Sequence, residues 1–457
     1  MKKLIPAISA TLNKTLLAGV VAVSPLLVSQ VINTVAPDTV NFSAVQAQVT
    51  AKNKFANEQR KHPNVTETFG KRITEAANFL QPSDPNAKPD PNRALQILNG
   101  LEANKAKYNA YEMVLLYQYY GYTYLSLENY PRAISNFELV VKQSPNLPVA
   151  TEAQTLLMLG QLYSGQDNPR KALDTLLRWT NYVDELRPEQ YYMFATLYYQ
   201  LDDNNNALLN INEAVRKQEA TGKVPAESWY ILQRGLYFDK EDYKNGLVAL
   251  ERLITHYSKA QYWKQLSQVY RVMDRNKDSL SALETCYLMG GLTTERDLVN
   301  LAYAFFEAEV PYKAAKVLNK AIYTDKAVEP SAKNLKLLAD AHRLAQNAKA
   351  SLAEYQKAAE KSKDGELIIG LSQAYLANGE FAQASKWGKA ALRAGGLKRP
   401  DQANLTVAQA EFELKNFDEA IKFFNEAAKD SRSEKAGRQW AAYAAAEKQK
   451  YELAQAD

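Results

Sequence analysis

The residue types that most often perform catalysis or hold metal ions are few and scattered in this 457-residue chain. Its three histidines, His62, His256 and His342, and its single cysteine, Cys286, lack the spacing at which metal ligands recur. The Gly-x-Ser-x-Gly, glycine-rich phosphate-loop and His-Glu-x-x-His motifs are absent from the sequence. We therefore expect no catalytic residue, no bound metal and no cofactor, and we predict that the protein is not an enzyme.

The remaining chemistry-bearing side chains have structural explanations. Acid pairs such as Asp202-Asp203 and Glu241-Asp242 fall where turns between helices are predicted, so we interpret them as solvated helix caps. Cys286 stands at a predicted core position and should be a buried, inert thiol. His342 replaces an aromatic core residue and should pack, whereas His256 follows a helix near a turn and should be exposed.

A helix-pair pattern explains how most apolar residues are arranged. In its clearest copy, Tyr117, Tyr120, Gly121 and Tyr124 are spaced three, one and three residues apart, which places them on one face of a helix. A second helix follows after a turn at residues 129–131, where proline fixes φ for helix entry. The second helix buries three apolar residues: Ala133, Phe137 and Val140.

The same pattern recurs nine times at intervals of 33 to 39 residues. Each copy has a small residue at the position of Gly121, which we call the marker position, except the fourth copy, which has Arg234 there. The marker positions are Gly121, Gly160, Ala195, Arg234, Ser267, Ala302, Ala339, Ser372 and Ala408. The pattern resembles the tetratricopeptide repeat, whose period is 34 residues. The resemblance implies an all-α, right-handed α-solenoid of stacked antiparallel helix pairs, with about nine to ten repeats.

The pattern also predicts the domain organisation. Residues 109–430 should form the repeat array, and residues 48–108 an N-terminal helical segment with a degenerate repeat. In that segment we predict a helix from Glu67 to Leu80 and a second one that buries Ala94, Leu98 and Leu101. Residues 431–457, rich in alanine, lysine and glutamate, should be a helix that caps the array.

The amino terminus has the composition of an export signal. Lys2, Lys3 and Lys14 precede an apolar run over residues 16–32, and Ala47 ends a small-residue cleavage sequence. We predict a signal peptide over residues 1–47, cleavage after Ala47 and a periplasmic protein. The run is short for the about 20 residues of a spanning helix, but retention as a membrane anchor stays open. The net charge of +5 is too small to indicate nucleic-acid binding.

The resemblance also implies a binding surface. In the repeat family the first helix of each pair lines a concave groove, and residues adjacent to the core positions face it. An aromatic stretch followed by a basic one suits a protein or extended peptide with apolar anchors and an acidic portion. The asparagine with which some family members clamp a terminal carboxylate is missing, so that clamp is not expected. The predicted groove residues are Tyr119, Tyr122, Tyr192, Tyr199, Phe238, Lys264, Gln268, Arg271, Tyr303, Phe306, Lys333, Lys336 and Arg343.

Together these features indicate a non-catalytic periplasmic scaffold. The layout of the whole chain resembles the exported tetratricopeptide proteins encoded beside TonB-type energy-transduction systems in marine Gram-negative bacteria. That resemblance implies partners among TonB-complex subunits and a role in iron-complex uptake. The alternative is a periplasmic adaptor in outer-membrane assembly or polysaccharide export. The sequence leaves open the partner, the oligomeric state and which face of the array binds.

Overall fold

The computed structural model describes residues 60, 62–83 and 86–456. Within these residues the chain forms twenty-one α-helices and no strand, and the helices pack as antiparallel pairs. The predicted all-α fold of stacked helix pairs is therefore confirmed. The predicted signal peptide, residues 1–47, lies outside the described residues, so its cleavage and the export that it would direct stay predictions.

The chain divides into two compact units, residues 1–257 (unit 1) and residues 258–457 (unit 2). The described part of unit 1 contains five helix pairs, and within this unit the second helix of each of the first four pairs also packs on the first helix of the next pair. The pairs are α1 (Glu67–Leu80) with α2 (Pro91–Glu102), α3 (Ala110–Ser126) with α4 (Tyr130–Lys142), α5 (Val149–Gly165) with α6 (Pro169–Trp179), α7 (Pro188–Gln200) with α8 (Asn204–Ala220), and α9 (Glu227–Asp239) with α10 (Tyr243–Tyr257).

Unit 2 contains five further pairs and a final single helix. The pairs are α11 (Ala260–Val272) with α12 (Asn276–Leu288), α13 (Glu295–Glu307) with α14 (Pro311–Asn319), α15 (Ala332–Leu344) with α16 (Ala348–Glu360), α17 (Gly365–Ala377) with α18 (Phe381–Ala394), and α19 (Pro400–Glu413) with α20 (Phe417–Ala427). The last helix, α21 (Glu434–Ala456), packs on α20. Ten pairs agree with the predicted nine to ten repeats.

The turns within the pairs confirm the predicted register. In all nine copies the seventh residue after the marker position has a positive φ, between 54° and 76°. A residue in this left-handed conformation ends the first helix, and the next residue starts the second. In several copies that next side chain caps the new helix, as Asn129 and Asp203 do by accepting from the backbone N–H three residues on. The nine turn residues are Glu128, Asp167, Asp202, Glu241, Asp274, Glu309, Gln346, Gly379 and Lys415.

The marker residues are small because the two helices of a pair approach closely there. A Cβ atom added to Gly121 would lie 2.5 Å from Cε1 of Phe137, and one added to Gly160 would lie 2.4 Å from Cγ of Leu176. Phe137 and Leu176 are both fully buried, so neither side chain can move into solvent. The predicted packing is confirmed, although Arg234, which stands at a marker position, is buried as well.

Helices stand at both ends of the described residues. Helix α1 spans Glu67–Leu80 as predicted, and α2 buries Ala94, Leu98 and Leu101. The proline-rich connection between them is not helical among its described residues. At the other end, Trp440 of α21 stacks on Phe424 of α20, with ring centroids 5.9 Å apart. None of the described helices combines the length and hydropathy needed to cross a bilayer.

Candidate binding groove of unit 2

The first helices of unit 2 share one face that is defined by equivalent positions in each repeat. It contains the residues three positions before, one after and four after each marker, and we call it the groove face. On α13 two of these are Tyr303, which is 43% exposed, and the half-buried Phe306, whose ring centroid lies 6.4 Å from that of Tyr303. On α15 the same positions hold Lys336, Asp340 and Arg343.

A polar cleft of about 210 Å³ opens on this face. It extends across α15, α17 and α19, three successive first helices, and one residue of α16 completes its wall. The residues that line it are Lys336, Asp340, Arg343, Tyr355, Glu366, Ile369, Gly370, Gln373, Arg399, Gln402 and Ala403. We call this site the cleft.

Asp340 is the hub of polar contacts on the α15 side of the cleft. Its carboxylate lies 2.8 Å from Nζ of Lys336 and 3.7 Å from Nη2 of Arg343, and it accepts a hydrogen bond from the Tyr355 hydroxyl. Burial and the neighbouring carboxylate raise the pKa of Tyr355, so its hydroxyl stays a donor at neutral pH. Arg343 nevertheless keeps a half-exposed guanidinium that can donate to a ligand.

On the α19 side of the cleft, the buried carboxylate of Asp401 holds Arg399 in place. The guanidinium of Arg399 donates from Nε and Nη2 to Asp401, at 2.9 and 2.5 Å. Asp401 is fully buried in its side chain, and Ser433, just before α21, also donates to it at 2.7 Å. These hydrogen bonds from Arg399 and Ser433 hold the pKa of Asp401 well below its usual range. The network orients Arg399 at the edge of the cleft and ties the start of α21 to α19.

Between these two clusters α17 supplies acceptors and amides. Glu366 accepts from the backbone N–H of Lys398 at 2.5 Å, and the amides of Gln373 on α17 and Gln402 on the neighbouring α19 are exposed. The cleft thus offers guanidinium, ammonium, amide and carboxylate groups, together with the apolar side chain of Ile369. Such a lining can bind the backbone and side chains of a polypeptide.

Of the predicted groove residues of unit 2, only Lys336 and Arg343 line the cleft. Lys264 is partly buried and its ammonium lies 2.7 Å from Asp297 of α13, so it links two pairs. Gln268 and Arg271 are exposed on the groove face of α11. Tyr303 and Phe306 lie on the same face of α13, and Lys333 is exposed at the start of α15.

In unit 1 the groove prediction is wrong for three aromatic residues. Tyr119 and Tyr122 are only 6% and 2% exposed, and the Tyr122 ring packs edge-on against Phe137 at 5.4 Å. Burial raises the pKa of Tyr119 to about 12. Phe238 is 5% exposed and packs against Gly246, where an added Cβ would lie 2.1 Å from Cε1 of the ring.

The physical reason lies in α3 itself. Its sequence is apolar or aromatic on every side, and a helix of that kind is buried all round. The residues beside its core positions therefore belong to the core as well. Gln118 shows the same effect, since it is fully buried and donates to the Tyr122 hydroxyl at 2.8 Å. Tyr192 and Tyr199 are half-buried, and Tyr192 stacks on Trp229 at 5.2 Å.

Several residues of the cleft are not among the predicted groove residues. Gln373 stands one position after its marker, as Asp340 does, so the repeat register alone could have identified it. Arg399 precedes Pro400 at the start of α19, and proline at a first helical position was a usable signal for that end. Tyr355 comes from a second helix, and only the packing of α16 brings it to the cleft.

The scattered histidines and the cysteine lie as the sequence predicted. Cys286 is fully buried, and burial raises the pKa of its thiol. His342 is half-buried, and burial lowers the pKa of its imidazole. His256 is exposed and its ring stacks on Tyr230 at 6.0 Å. Within the described part of the chain no three His, Cys, Asp or Glu side chains are grouped to hold a metal ion.

Comparison with known proteins gives only distant structural likenesses. No family model matches the chain, and no curated protein matches it. Among solved structures, the chain is similar to YrrB, a TPR protein with an unusual peptide-binding site, at 13% identity and a TM-score of 0.34 over 42% of this chain and 98% of YrrB. It is also similar to a tetratricopeptide repeat protein from Parabacteroides merdae, at 12% identity and a TM-score of 0.32, over 57% of this chain and 99% of that one.

A third structure, MamA, is 17% identical with a TM-score of 0.31, over 37% of this chain and 94% of MamA. At these identities and TM-scores nothing about the function of this chain can be concluded from the likenesses. The function must instead be inferred from the helix pairs and from the chemistry of the cleft.

Proposed function

We propose that the protein is a non-catalytic scaffold that binds a protein partner through an extended segment seated in the cleft of unit 2. The observation that carries the proposal is that one continuous polar cleft crosses three successive first helices and presents Lys336, Arg343 and Arg399. Its lining includes residues at equivalent positions of successive repeats, so the stacking of the pairs forms it.

The dimensions of the cleft suit an extended peptide. Packed helices lie about 8 to 10 Å apart, so the first and third of the three helices are separated by roughly 16 to 20 Å. An extended chain advances about 3.3 Å per residue, and five or six residues would therefore cross the cleft. Exposed Tyr303 on the neighbouring α13 adds an apolar anchor on the same face.

We also propose export to the periplasm and a partner within a TonB-type system. Support comes from the lysines and the apolar run of residues 1–47 and from the resemblance in whole-chain layout. In this proposal the protein organises partners by binding, and the partners consume the proton-motive force.

The test is site-specific photocrosslinking in intact cells. A photoreactive residue replaces Tyr303 on the groove face, and a matched control replaces Tyr312, which is 61% exposed on α14. Adducts are identified by mass spectrometry, and the experiment is repeated with Arg343→Ala. We expect a specific adduct from position 303 that is absent from position 312 and weakened by Arg343→Ala.

The identity of the adduct decides the finer proposal. TonB or its inner-membrane subunits would support the energy-transduction role. Export or outer-membrane assembly machinery would favour the adaptor role. An adduct that forms equally well from position 312 would refute binding through the groove face.

A further inference from the structure

A short extended segment before α1 runs back over the neighbouring helix pairs of unit 1. We call Arg60 and residues 62–66 the strap. They form no regular secondary structure, and most of their side chains are exposed. Contacts hold the strap to residues 45 to 92 positions further along the chain. The strap is therefore an extended peptide bound to a folded surface of the same molecule.

A buried carboxylate holds each end of the strap. At one end the Arg60 guanidinium forms an ion pair with Glu152 of α5, which also accepts from Ser144 Oγ at 3.0 Å. At the other end, Glu112 of α3 accepts from both the backbone N–H and the hydroxyl of Thr66, at 2.8 and 2.6 Å. Glu112 and Glu152 are 0% and 3% exposed.

Between its ends the strap makes looser contacts. The His62 ring lies over Tyr111 with centroids 4.0 Å apart, and the carbonyl oxygen of Asn64 accepts from Nδ2 of Asn109 at 2.9 Å. Asn109 also forms a capping box with Glu112 at the start of α3. The first turn of α3 thus binds peptide backbone in two places.

Leaving the carboxylates of Glu112 and Glu152 buried without the strap would cost free energy. A buried carboxylate that loses its cation or its donors is strongly disfavoured. Among the described residues, Glu152 without Arg60 would keep the neutral hydroxyl of Ser144, and Glu112 without Thr66 would keep the capping box of its own helix. The surface is therefore complementary to a segment that carries a guanidinium and, six residues later, a free backbone N–H.

We propose that Glu112 and Glu152 form a binding site for an extended, arginine-bearing peptide, which the strap occupies and which a segment of the same chemistry from another molecule can occupy in its place. This site belongs to unit 1 and is independent of the cleft. Release of the strap exposes the two carboxylates, and binding in trans satisfies them again.

The test uses a labelled synthetic peptide with the sequence of residues 60–66, blocked at both ends, and the full chain. Arg60→Ala removes the competing guanidinium of the strap. Arg72→Ala is the matched control, because Arg72 is half-exposed on α1 and pairs with Glu75 of the same helix. Affinity is measured by fluorescence anisotropy, and a second peptide carries neutral citrulline in place of arginine.

We expect Arg60→Ala to bind the peptide about tenfold more tightly than the wild type or Arg72→Ala, because charge-assisted hydrogen bonds are of that strength. The tighter binding should disappear when the peptide carries citrulline in place of arginine. It should also disappear in the double variant Arg60→Ala, Glu152→Gln. Equal binding by wild type and Arg60→Ala, or binding that ignores the guanidinium, would overturn the proposal. Should Arg60→Ala unfold unit 1, Arg60→Gln, which keeps a polar side chain but removes the positive charge, is compared with the wild type and Arg72→Ala in the same way.

Discussion

Gly121→Ala tests whether close approach of two helices, and not helix propensity, governs the marker position. In an exposed helix interior the substitution would stabilise by about 1 kcal/mol, because glycine costs that much relative to alanine. At Gly121, however, the new Cβ would lie 2.5, 2.6 and 2.8 Å from three ring carbons of Phe137. Real Cβ atoms do not approach so closely, so the ring or the helix must shift.

The magnitude depends on the space around the ring. Phe137 is fully buried and also contacts Tyr122 edge-on, so it cannot rotate away without moving a second buried ring. Overpacking of this kind costs about 1 to 3 kcal/mol. Alanine's higher helix propensity offsets about 1 kcal/mol of this overpacking cost. We therefore expect the free energy of unfolding to fall by up to about 2 kcal/mol.

Gly100→Ala is the matched control. Gly100 lies in α2, is exposed, and has no atom within 4 Å of an added Cβ. Its substitution should therefore stabilise by about 0.5 to 1 kcal/mol. Urea unfolding followed by circular dichroism gives the global effect, and hydrogen exchange of peptides from α3 and α4 gives the local one, since repeat units fray separately.

A smaller partner should relieve the clash. In a double-mutant cycle, Phe137→Leu combined with Gly121→Ala should be less destabilising than the sum of the two single changes by at least about 0.5 kcal/mol. If Gly121→Ala stabilises the protein as much as Gly100→Ala does, the close approach is not what requires glycine and the packing argument fails.

Three further predictions concern the core, the cleft support and the groove face. Phe137→Ala should cost about 3 to 5 kcal/mol by urea unfolding, because the ring is fully buried, and a loss below about 1 kcal/mol would contradict its place in the core. Asp401→Asn should lower stability by about 2 kcal/mol at pH 7 through weaker bonds to Arg399. Because folding lowers the pKa of Asp401, its contribution is full above the unfolded value of about 3.9 and is lost as pH falls below it. The melting-temperature difference between wild type and Asp401→Asn should therefore shrink from pH 7 to pH 3, and a constant difference would rule out the charged network. Tyr303→Ala should leave the melting temperature nearly unchanged while it weakens partner capture, whereas a large drop would assign Tyr303 to the core.

The repeat register could be predicted because it depends on residues that are close together in the sequence. A helix face, a turn and a second face come one after another within about 25 residues, and the spacing of the apolar residues and the small marker specify all three. Every predicted marker was followed seven residues later by a positive φ, even in the fourth copy, where Arg234 replaces the small residue. The final helix was predicted for the same reason, since its alanine-rich composition favours a helix without tertiary help.

Which helix face stays open depends on neighbours that are distant in sequence. Tyr122 and Tyr303 occupy the same register position, one residue after the marker, yet the first is 2% and the second 43% exposed. Tyr122 is covered because α3 is apolar round its whole circumference, whereas α13 is amphipathic and leaves Tyr303 beside its buried face.

The buried polar contacts between different helices depend on the tertiary structure. Arg60 meets Glu152 across 92 residues, and Asp401 meets Ser433 across 32. Charged residues of these types occur throughout the chain, and their spacing contains no periodicity that pairs one with another. The amino-acid sequence by itself determined the helices, their turns and their order. Only the stacking of helix pairs decided which charges were buried together, because burial in a solenoid is completed by the neighbouring repeat and not by the repeat itself.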